Sequence, residues 1–387
     1  MNAVPPPAPL AGLRVLDIAT VIAGPGAARY LADFGADVLK VERPDGGDSC
    51  RTMGLPVDPD GTSAYWKLVG RNKRCATLDL KSDDGRRALL ELVTDAHVLI
   101  ENFRPGTLER LGLGPDVLLE RNPALVVLRV TGFGQDGPYA ARPGFATLAE
   151  AMSGFAAING EPDGGPLLPP IALTDEVSAL AGAFAVMVAL RSGVGQVVDV
   201  NLLDSLLQCM SPLPTAYGAT GFLQPRMGSS LPYSVPRGTW RCSDGEWVAI
   251  SASAESVGRR VMVLLGLGDR TDLLTFGGRI AAREEIDDRM AEFCAARTAG
   301  EVIAAFEAAH AAAGHVHDMA DVFADPHVRA RGSIVEVDDV PMQGLVARLS
   351  RTPGSVRWPG RALGADDPPR WLNEDQETGT GASAGAR

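Results

Sequence analysis

The sequence predicts an α/β protein: a large domain with a mostly parallel sheet, followed by a smaller α+β domain. Two observations carry that reading. As far as Val130, short strand-like runs alternate with helical ones, the pattern of a sheet wrapped by crossover helices. Beyond Asp204 the alternation stops, and a passage rich in Gly, Pro and Ser leads into a hairpin pattern.

The elements follow in order. Residues 13–18 read as an apolar strand, Gly24-Pro25-Gly26 as a turn, 26–34 as a helix and 36–42 as a second strand. Further strands are expected at 76–80, 98–100 and 125–130, with helices at 85–94 and 115–121. A strand, a glycine turn that lets a ligand approach the backbone, and a helix with unpaired first-turn amides form a Rossmann-like cradle for a phosphate-bearing ligand. The turn has no third glycine at the helix-packing position and so departs from the dinucleotide fingerprint. In the second domain 238–250 reads as two strands about Asp244-Gly245, with helices at 254–265, 283–297 and 299–312 and extended chain at 334–337 and 346–349. The large domain is therefore expected over 10–215, the small domain over 225–330, and a return to the large domain over 331–372. The ends, 1–9 and 374–387, are low in complexity and expected to be disordered.

At 387 residues and 45% hydrophobic composition the chain can fill real cores. A net charge of −12 argues against nonspecific nucleic-acid or anionic-membrane binding, since both rest on basic surface. An anionic ligand then needs a local positive patch. The run 67–74 holds Lys67, Arg71, Lys73 and Arg74 with no acid among them; by composition alone such a run is a solvated face. Five cysteines (Cys50, Cys75, Cys209, Cys242, Cys294), odd in number and without a Cys-x-x-Cys pair, indicate neither a disulfide framework nor a zinc site and fit a reducing cytosol. His315 and His317 lack a third ligand, and no metal is expected. The N-terminus lacks the basic and apolar regions of a secretory leader, and the longest apolar run, 177–190, is shorter than a bilayer span and reads as a buried helix. A soluble cytoplasmic protein is expected.

Asp175 stands at the start of that run. Thr174 reads as an N-cap, which sets the Asp175 carboxylate at the positive end of a helix dipole, where it stays ionised. From position alone its role is helix stabilisation, and Glu176 shares the place.

The wording of the chain is more specific than its periodicity. Leu13-Arg-Val-Leu-Asp-Ile-Ala-Thr-Val-Ile-Ala-Gly-Pro25, Gly35-Ala-Asp-Val-Leu-Lys-Val-Glu-Arg-Pro44 and Gly46-Gly-Asp48 come first. Arg71-Asn-Lys-Arg74 with Leu78-Asp-Leu-Lys81, Glu101-Asn-Phe-Arg-Pro-Gly106 with Leu111-Gly112, and Gly132-Phe-Gly-Gln-Asp-Gly-Pro138 with Arg142-Pro-Gly144 follow. Gly195-Gln-Val-Val-Asp-Val200 with Leu203-Asp204, then Asp325-Pro-His327 with Ala330-Arg-Gly332, complete the series. Together, over roughly residues 10 to 364, these blocks resemble the family III CoA-transferases, the superfamily of formyl-CoA transferase, carnitine CoA-transferase and α-methylacyl-CoA racemase.

The resemblance implies an acyl-CoA:carboxylate CoA-transferase, with coenzyme A as substrate and carrier, an interlocked homodimer, and Asp175 as the nucleophile. By the same resemblance Arg43, Lys73, Asn102, Phe103 and Arg110 match positions that contact CoA, while Val21, Ile22 and Ala23 line its cleft. Tyr139 is a candidate for the acyl site, and Gly154 and the Gly228-Ser229-Ser230 stretch are candidates for oxyanion stabilisation beside a turn role. The racemase branch carries a histidine base where this chain has Phe145, which takes no proton; an α-methylacyl-CoA epimerase using another base is the second reading. The formate-oxalate branch carries a glycine lid where this chain has Met227-Gly-Ser-Ser-Leu-Pro232. The third reading is a non-catalytic CoA-binding protein that kept the fold alone.

Overall fold

The computed structural model describes residues 8–372. Its contacts divide the chain into two units, one of residues 8–153, 169–211 and 327–372, the other of 154–168 and 212–326. The stretch 154–168, expected in the large domain, clusters with the second unit.

The first unit is built on six parallel strands, β1 (Arg14–Asp17), β2 (Asp37–Glu42), β3 (Arg74–Thr77), β4 (Val98–Glu101), β5 (Val126–Thr131) and β6 (Gln196–Asn201), in the order β3-β2-β1-β4-β5-β6. Both faces of β1 to β5 are covered, which is why those strands read as apolar runs, whereas β6 alternates between partly buried and exposed residues. Alternate residues serve opposite faces: Val15, Val38, Val98 and Val126 join one core with the Ala23–Asp33 and Leu173–Ser192 helices. Leu16, Leu39, Leu99 and Val127 join another with the Asp83–Thr94 helix. Because β2 and β4 flank β1 on either side, the strand order reverses there, and the crevice of an open α/β sheet opens at the carboxyl ends of β1 and β4.

The glycine triplet is not a turn ahead of its helix. The helix starts at Ala23, with Gly24, Pro25 and Gly26 in its first turn. Proline is tolerated there because a first-turn N–H has no partner inside the helix. Gly26 serves packing: a Cβ built on it would lie 2.8 Å from the Ala179 Cβ, so its bare Cα lets the Leu173–Ser192 helix come close. A Gly26→Val substitution is expected to destabilise the protein by about 1–3 kcal/mol through overpacking, read as a lower urea midpoint with an unchanged slope.

The Leu173–Ser192 helix also departs from expectation. At 20 residues it is the one helix among the described residues long and apolar enough to cross a membrane by length and composition, and only 33% of its most apolar window is buried. Leu180, Phe184, Met187 and Val188 are exposed on it.

The cation run 71–74 is the reverse of a solvated face. Arg71 is clamped by Asp33 at 3.0 and 2.5 Å and Arg74 by Asp37 at 2.8 and 2.9 Å, both buried. Lys67 pairs with Asp58. β3 begins at Arg74, earlier than expected, so the Arg74–Asp37 pair ties its start to β2, while Arg71 is anchored to Asp33 at the end of the Ala23–Asp33 helix. The returning chain then seals the region: Trp358 accepts from Asn72 N–H at 3.0 Å, the Trp66 indole donates to the Arg361 carbonyl at 2.9 Å, and Asp366 accepts from Cys75 N–H at 2.8 Å.

The second unit carries an antiparallel sheet of β7 (Arg237–Arg241), β8 (Trp247–Ser251) and β9 (Ala312–His315). β9 falls where the helical reading of 299–312 ends. The helix stops at Ala308, His310 adopts a left-handed φ of 51°, and the chain turns to pair with β8, a tertiary override of an alanine-rich local preference. In the first unit β10 (Ile334–Val337) pairs with β11 (Val340–Gln343), and 346–349, read as extended, is in neither strand. Asp338 and Asp339, at φ 51° and 59°, make the two-residue turn whose twist suits a hairpin.

Candidate active site

The chain between β1 and its helix is held in strain. Val21 sits at φ 68°, a left-handed conformation that costs a β-branched residue about 1–3 kcal/mol. Its N–H donates to the Asp48 carboxylate oxygens at 3.1 and 3.2 Å. Neighbouring Thr20 is held by Asn102, whose Oδ1 accepts from its N–H at 2.7 Å and whose Nδ2 donates to its carbonyl at 2.6 Å. The ends of β1 and β4 are thus tied together at the switch point, and Ile22 and Ala23, each 5% exposed, are fixed at the helix start.

Beneath the loop lies a buried cluster of two lysines and two aspartates. Lys73 Nζ donates to Asp17 at 2.7 Å and to the Pro25 carbonyl at 2.6 Å. Lys40 pairs with Asp48 at 3.2 Å and Asp17 at 3.7 Å and donates to the Ala19 carbonyl. Asp48 further accepts from Cys50 N–H at 2.9 Å, and its own N–H donates to Glu42, which holds Arg51 through two bonds. Matched opposite charges in contact make such burial tolerable. The two lysines respond differently. Burial lowers Lys73, and Asp17 does not make up the difference. Around Lys40 the carboxylates of Asp17, Asp48 and Glu42 outweigh burial and hold the ammonium above its ordinary range.

Lys73, expected from the resemblance to contact CoA, is 0% exposed, and its ammonium is engaged by Asp17 and by the Pro25 carbonyl under the loop. Arg43 and Arg110 do reach the surface. Arg43, after β2, donates from Nε to the Gly47 carbonyl at 2.8 Å, and Arg110 donates from Nη2 to Thr107 Oγ1 at 2.9 Å. Among the described residues neither forms an ion pair. Phe103 follows β4, half-buried against the core of the Leu16 face, with its N–H on Glu101 at 2.7 Å. Val21, Ile22, Ala23, Arg43, Asn102 and Phe103 thus gather at the carboxyl ends of β1, β2 and β4, with Arg110 one short helix further on.

Asp175 lies in the first turn of the Leu173–Ser192 helix, which runs toward the start of β6, so that turn faces the same edge of the sheet. Thr174 is not the cap. Ala172 is, without a side-chain bond, and the Thr174 hydroxyl instead donates to Glu150 Oε1 at 2.9 Å. Glu176 is engaged by Arg29 and by the Tyr30 hydroxyl, both at 2.9 Å. Asp175 is half-buried, and among the described residues nothing pairs with it or donates to its carboxylate. Burial, then the charges of Glu150 and Glu176, push it up to about 6, so here the helix dipole is outweighed.

Asp17, Lys40, Asp48 and Glu150 escaped the sequence reading. The available signal was chemical: Asp17 and Lys40 are charges inside runs that otherwise read as apolar strand. Of the oxyanion candidates, Gly154 makes a left-handed turn at φ 89°, and Gly228 is corrected, since its N–H already donates to the Gly160 carbonyl at 2.9 Å. Tyr139 packs edge-on to Phe133 and beneath Arg142. Phe145 is 69% exposed. Among the described residues no group of three or more His, Cys, Asp or Glu could hold a metal ion.

Fold and site define an α/β enzyme with its ligand crevice at a sheet switch point. The chain belongs to CoA-transferase family III, whose model matches residues 10–367. It is a CoA-transferase, with CoA passing between carboxylic acids as the carried group. It is 41% identical over 371 residues to the beta subunit of succinyl-CoA–L-malate CoA-transferase of Chloroflexus aurantiacus, covering 92% of this chain and 91% of that one. Against succinyl-CoA–D-citramalate CoA-transferase of the same organism it is 38% identical over 376 residues, covering 94% and 93%. A solved CAIB/BAIF family protein from Brucella suis superposes with a TM-score of 0.82 at 33% identity, covering 93% of this chain and 97% of that one.

Proposed function

We propose that this enzyme transfers CoA between dicarboxylic acids through covalent intermediates on Asp175. The observation that carries the proposal is a half-buried carboxylate, free of any partner among the described residues, at the edge of the sheet where the strained Val21 loop lies. An Asp175 oxygen attacks the thioester carbonyl, the C–S bond breaks, CoA leaves as thiolate, and a mixed anhydride remains. The thiolate attacks the Asp175 carbonyl, displacing the donor acid as a carboxylate and leaving CoA on Asp175 as a thioester. The acceptor carboxylate then displaces the thiolate to form a second anhydride. Thiolate attack on its acyl carbon releases the new acyl-CoA and restores Asp175. A group resembling both acids divides one hard exchange into matched steps. Val21, Ile22, Ala23, Asn102 and Phe103 would seat CoA, with Arg43 and Arg110 toward its phosphates and Lys73 bracing the loop.

The relatives named for succinyl-CoA with malate or citramalate support a dicarboxylic substrate pair. The reading includes an interlocked homodimer, supported by the uncovered apolar residues Leu180, Phe184, Met187 and Val188, which need a protein cover in water. It also includes a cytoplasmic location, supported by five cysteines that are all free.

The test is purified protein incubated with succinyl-CoA and no acceptor, then hydroxylamine or borohydride, followed by peptide mass spectrometry. A label on Asp175 is expected; labelling elsewhere, or none in a protein that transfers CoA, sinks the mechanism. The pH profile gives a second check. Attack needs the ionised form, so kcat/KM is expected to be level above pH 6 and to fall about tenfold per unit below it. A profile flat down to pH 4.5 contradicts this.

A further inference from the structure

Of the six non-glycine residues at positive φ among the described residues, Val21 alone is β-branched, the kind of side chain least suited to that region. Packing does not explain it. The Val21 side chain is only partly buried and belongs to none of the hydrophobic clusters. Strain of this kind persists where the surroundings over-determine the backbone, and it gathers at segments that clamp ligands. Here the hold is a single carboxylate: the Val21 N–H meets both Asp48 oxygens, at 3.1 and 3.2 Å.

Asp48 is itself fixed. It is 3% exposed, its N–H donates to Glu42 at 2.9 Å, and its oxygens meet the Cys50 N–H at 2.9 Å and the Lys40 ammonium at 3.2 Å. Glu42 is gripped in turn by Arg51, which also donates to the Arg361 carbonyl at 3.0 Å. Asp48 closes the loop that follows β2, and one residue before it the Gly47 carbonyl accepts from Arg43 Nε at 2.8 Å. The loop after β1 and the loop after β2 are therefore joined at one buried side chain. Every group in this chain of contacts belongs to the first unit.

We infer that Asp48 is a positioning residue for coenzyme A: it holds Val21 in its strained shape and so keeps the Val21–Ala23 wall in register with Arg43. The inference rests on the reading above that these residues seat CoA. Its logic is one of populations. Without the Asp48 oxygens valine relaxes to negative φ, the wall shifts, and CoA meets a loop that is competent only part of the time, so its apparent affinity falls by that fraction. Glycine takes either sign of φ and needs no such hold.

The experiment compares full-length wild type with Asp48→Ala, Val21→Gly and the double variant. Calorimetric titration gives Kd for CoA, and succinyl-CoA with malate gives KM and kcat. Asp48→Ala is expected to raise Kd for CoA and KM for succinyl-CoA about ten- to a hundredfold with kcat little changed, Val21→Gly to stay near wild type, and the double variant to recover most of the loss. A carboxylate that served the fold alone would gain nothing in CoA affinity from glycine at position 21. Folded Asp48→Ala with wild-type Kd, or a double variant that binds CoA no better than Asp48→Ala, overturns the inference. Arg43→Gln and Phe103→Ala separate it from the reading beneath it: if both leave Kd unchanged, the CoA seat itself falls, whereas a Kd weakened by them and untouched by Asp48→Ala removes the positioning role alone. Should Asp48→Ala fail to fold, Val21→Pro leaves the buried charges in place while removing the N–H and fixing φ at about −65°. Loss of CoA affinity with kcat kept then supports the inference, and wild-type affinity overturns it.

Discussion

An Asp175→Asn variant is expected to lose CoA transfer by about a thousandfold or more and, at pH 7, to melt at a higher temperature than wild type. Both effects come from one carboxylate. The amide is too weak a nucleophile to open a thioester, so neither anhydride forms. The stability gain follows from the sign of the proton linkage. Asp175 is raised from 3.8 to about 6 by burial, Glu150 and Glu176. Between those values the folded protein holds the proton more tightly than the unfolded chain, so stability falls as pH climbs through that window, and the penalty is complete above it. An amide escapes the penalty. The gap in melting temperature between variant and wild type should therefore shrink as pH drops from 7 toward 4. Wild-type transfer by the variant would remove Asp175 from the chemistry, and a midpoint below wild type at pH 7 would mean that the ionised carboxylate is stabilised by contacts absent from this structure.

Lys73→Met is expected to cost about 3 kcal/mol, because it removes the 2.7 Å partner of the buried Asp17 charge and leaves it only Lys40 at 3.7 Å. The Asp17→Asn and Lys73→Met double variant should recover much of that loss, since neutralising both members of a buried pair leaves no uncompensated ion. Urea unfolding followed by tryptophan fluorescence and by circular dichroism reads the cost. A second consequence is specific to this location. The pair sits under the Val21 loop and braces the Pro25 carbonyl, so surviving enzyme should show a raised KM for acyl-CoA in both variants. Full recovery of stability with KM still raised separates the brace from simple fold maintenance. A single Lys73→Met variant as stable as wild type would refute the buried-pair account.

The positions of β1, β2, β4 and β5 were legible because parallel strands buried on both faces announce themselves as short apolar runs, whereas β6, half-exposed and carrying Gln196, Asp199 and Asn201, was not read as a strand. The proposed role of Asp175 rests on resemblance, since position alone made it a helix stabiliser. Two kinds of feature were not legible. The first is pairing at long range: nothing in 71–74 says that Arg71 will meet Asp33 or that Lys73 will meet Asp17, so a buried brace read as open surface. The second is backbone handedness. Val21, His310 and the Asp338–Asp339 pair adopt positive φ because Asp48 or a neighbouring strand makes it worthwhile, and propensity carries no trace of those partners. Gly26 shows the reverse error, a glycine read as ligand access that in the fold admits a helix.

The closing stretch beyond residue 350 supplies what Trp66, Asn72 and Cys75 bind, yet it leaves the ribosome after the whole second unit has been made. All six strands of the parallel sheet are therefore complete long before the segment that covers the β3 edge, and a chain cut short of residue 350 would lack the partners of Trp66, Asn72 and Cys75.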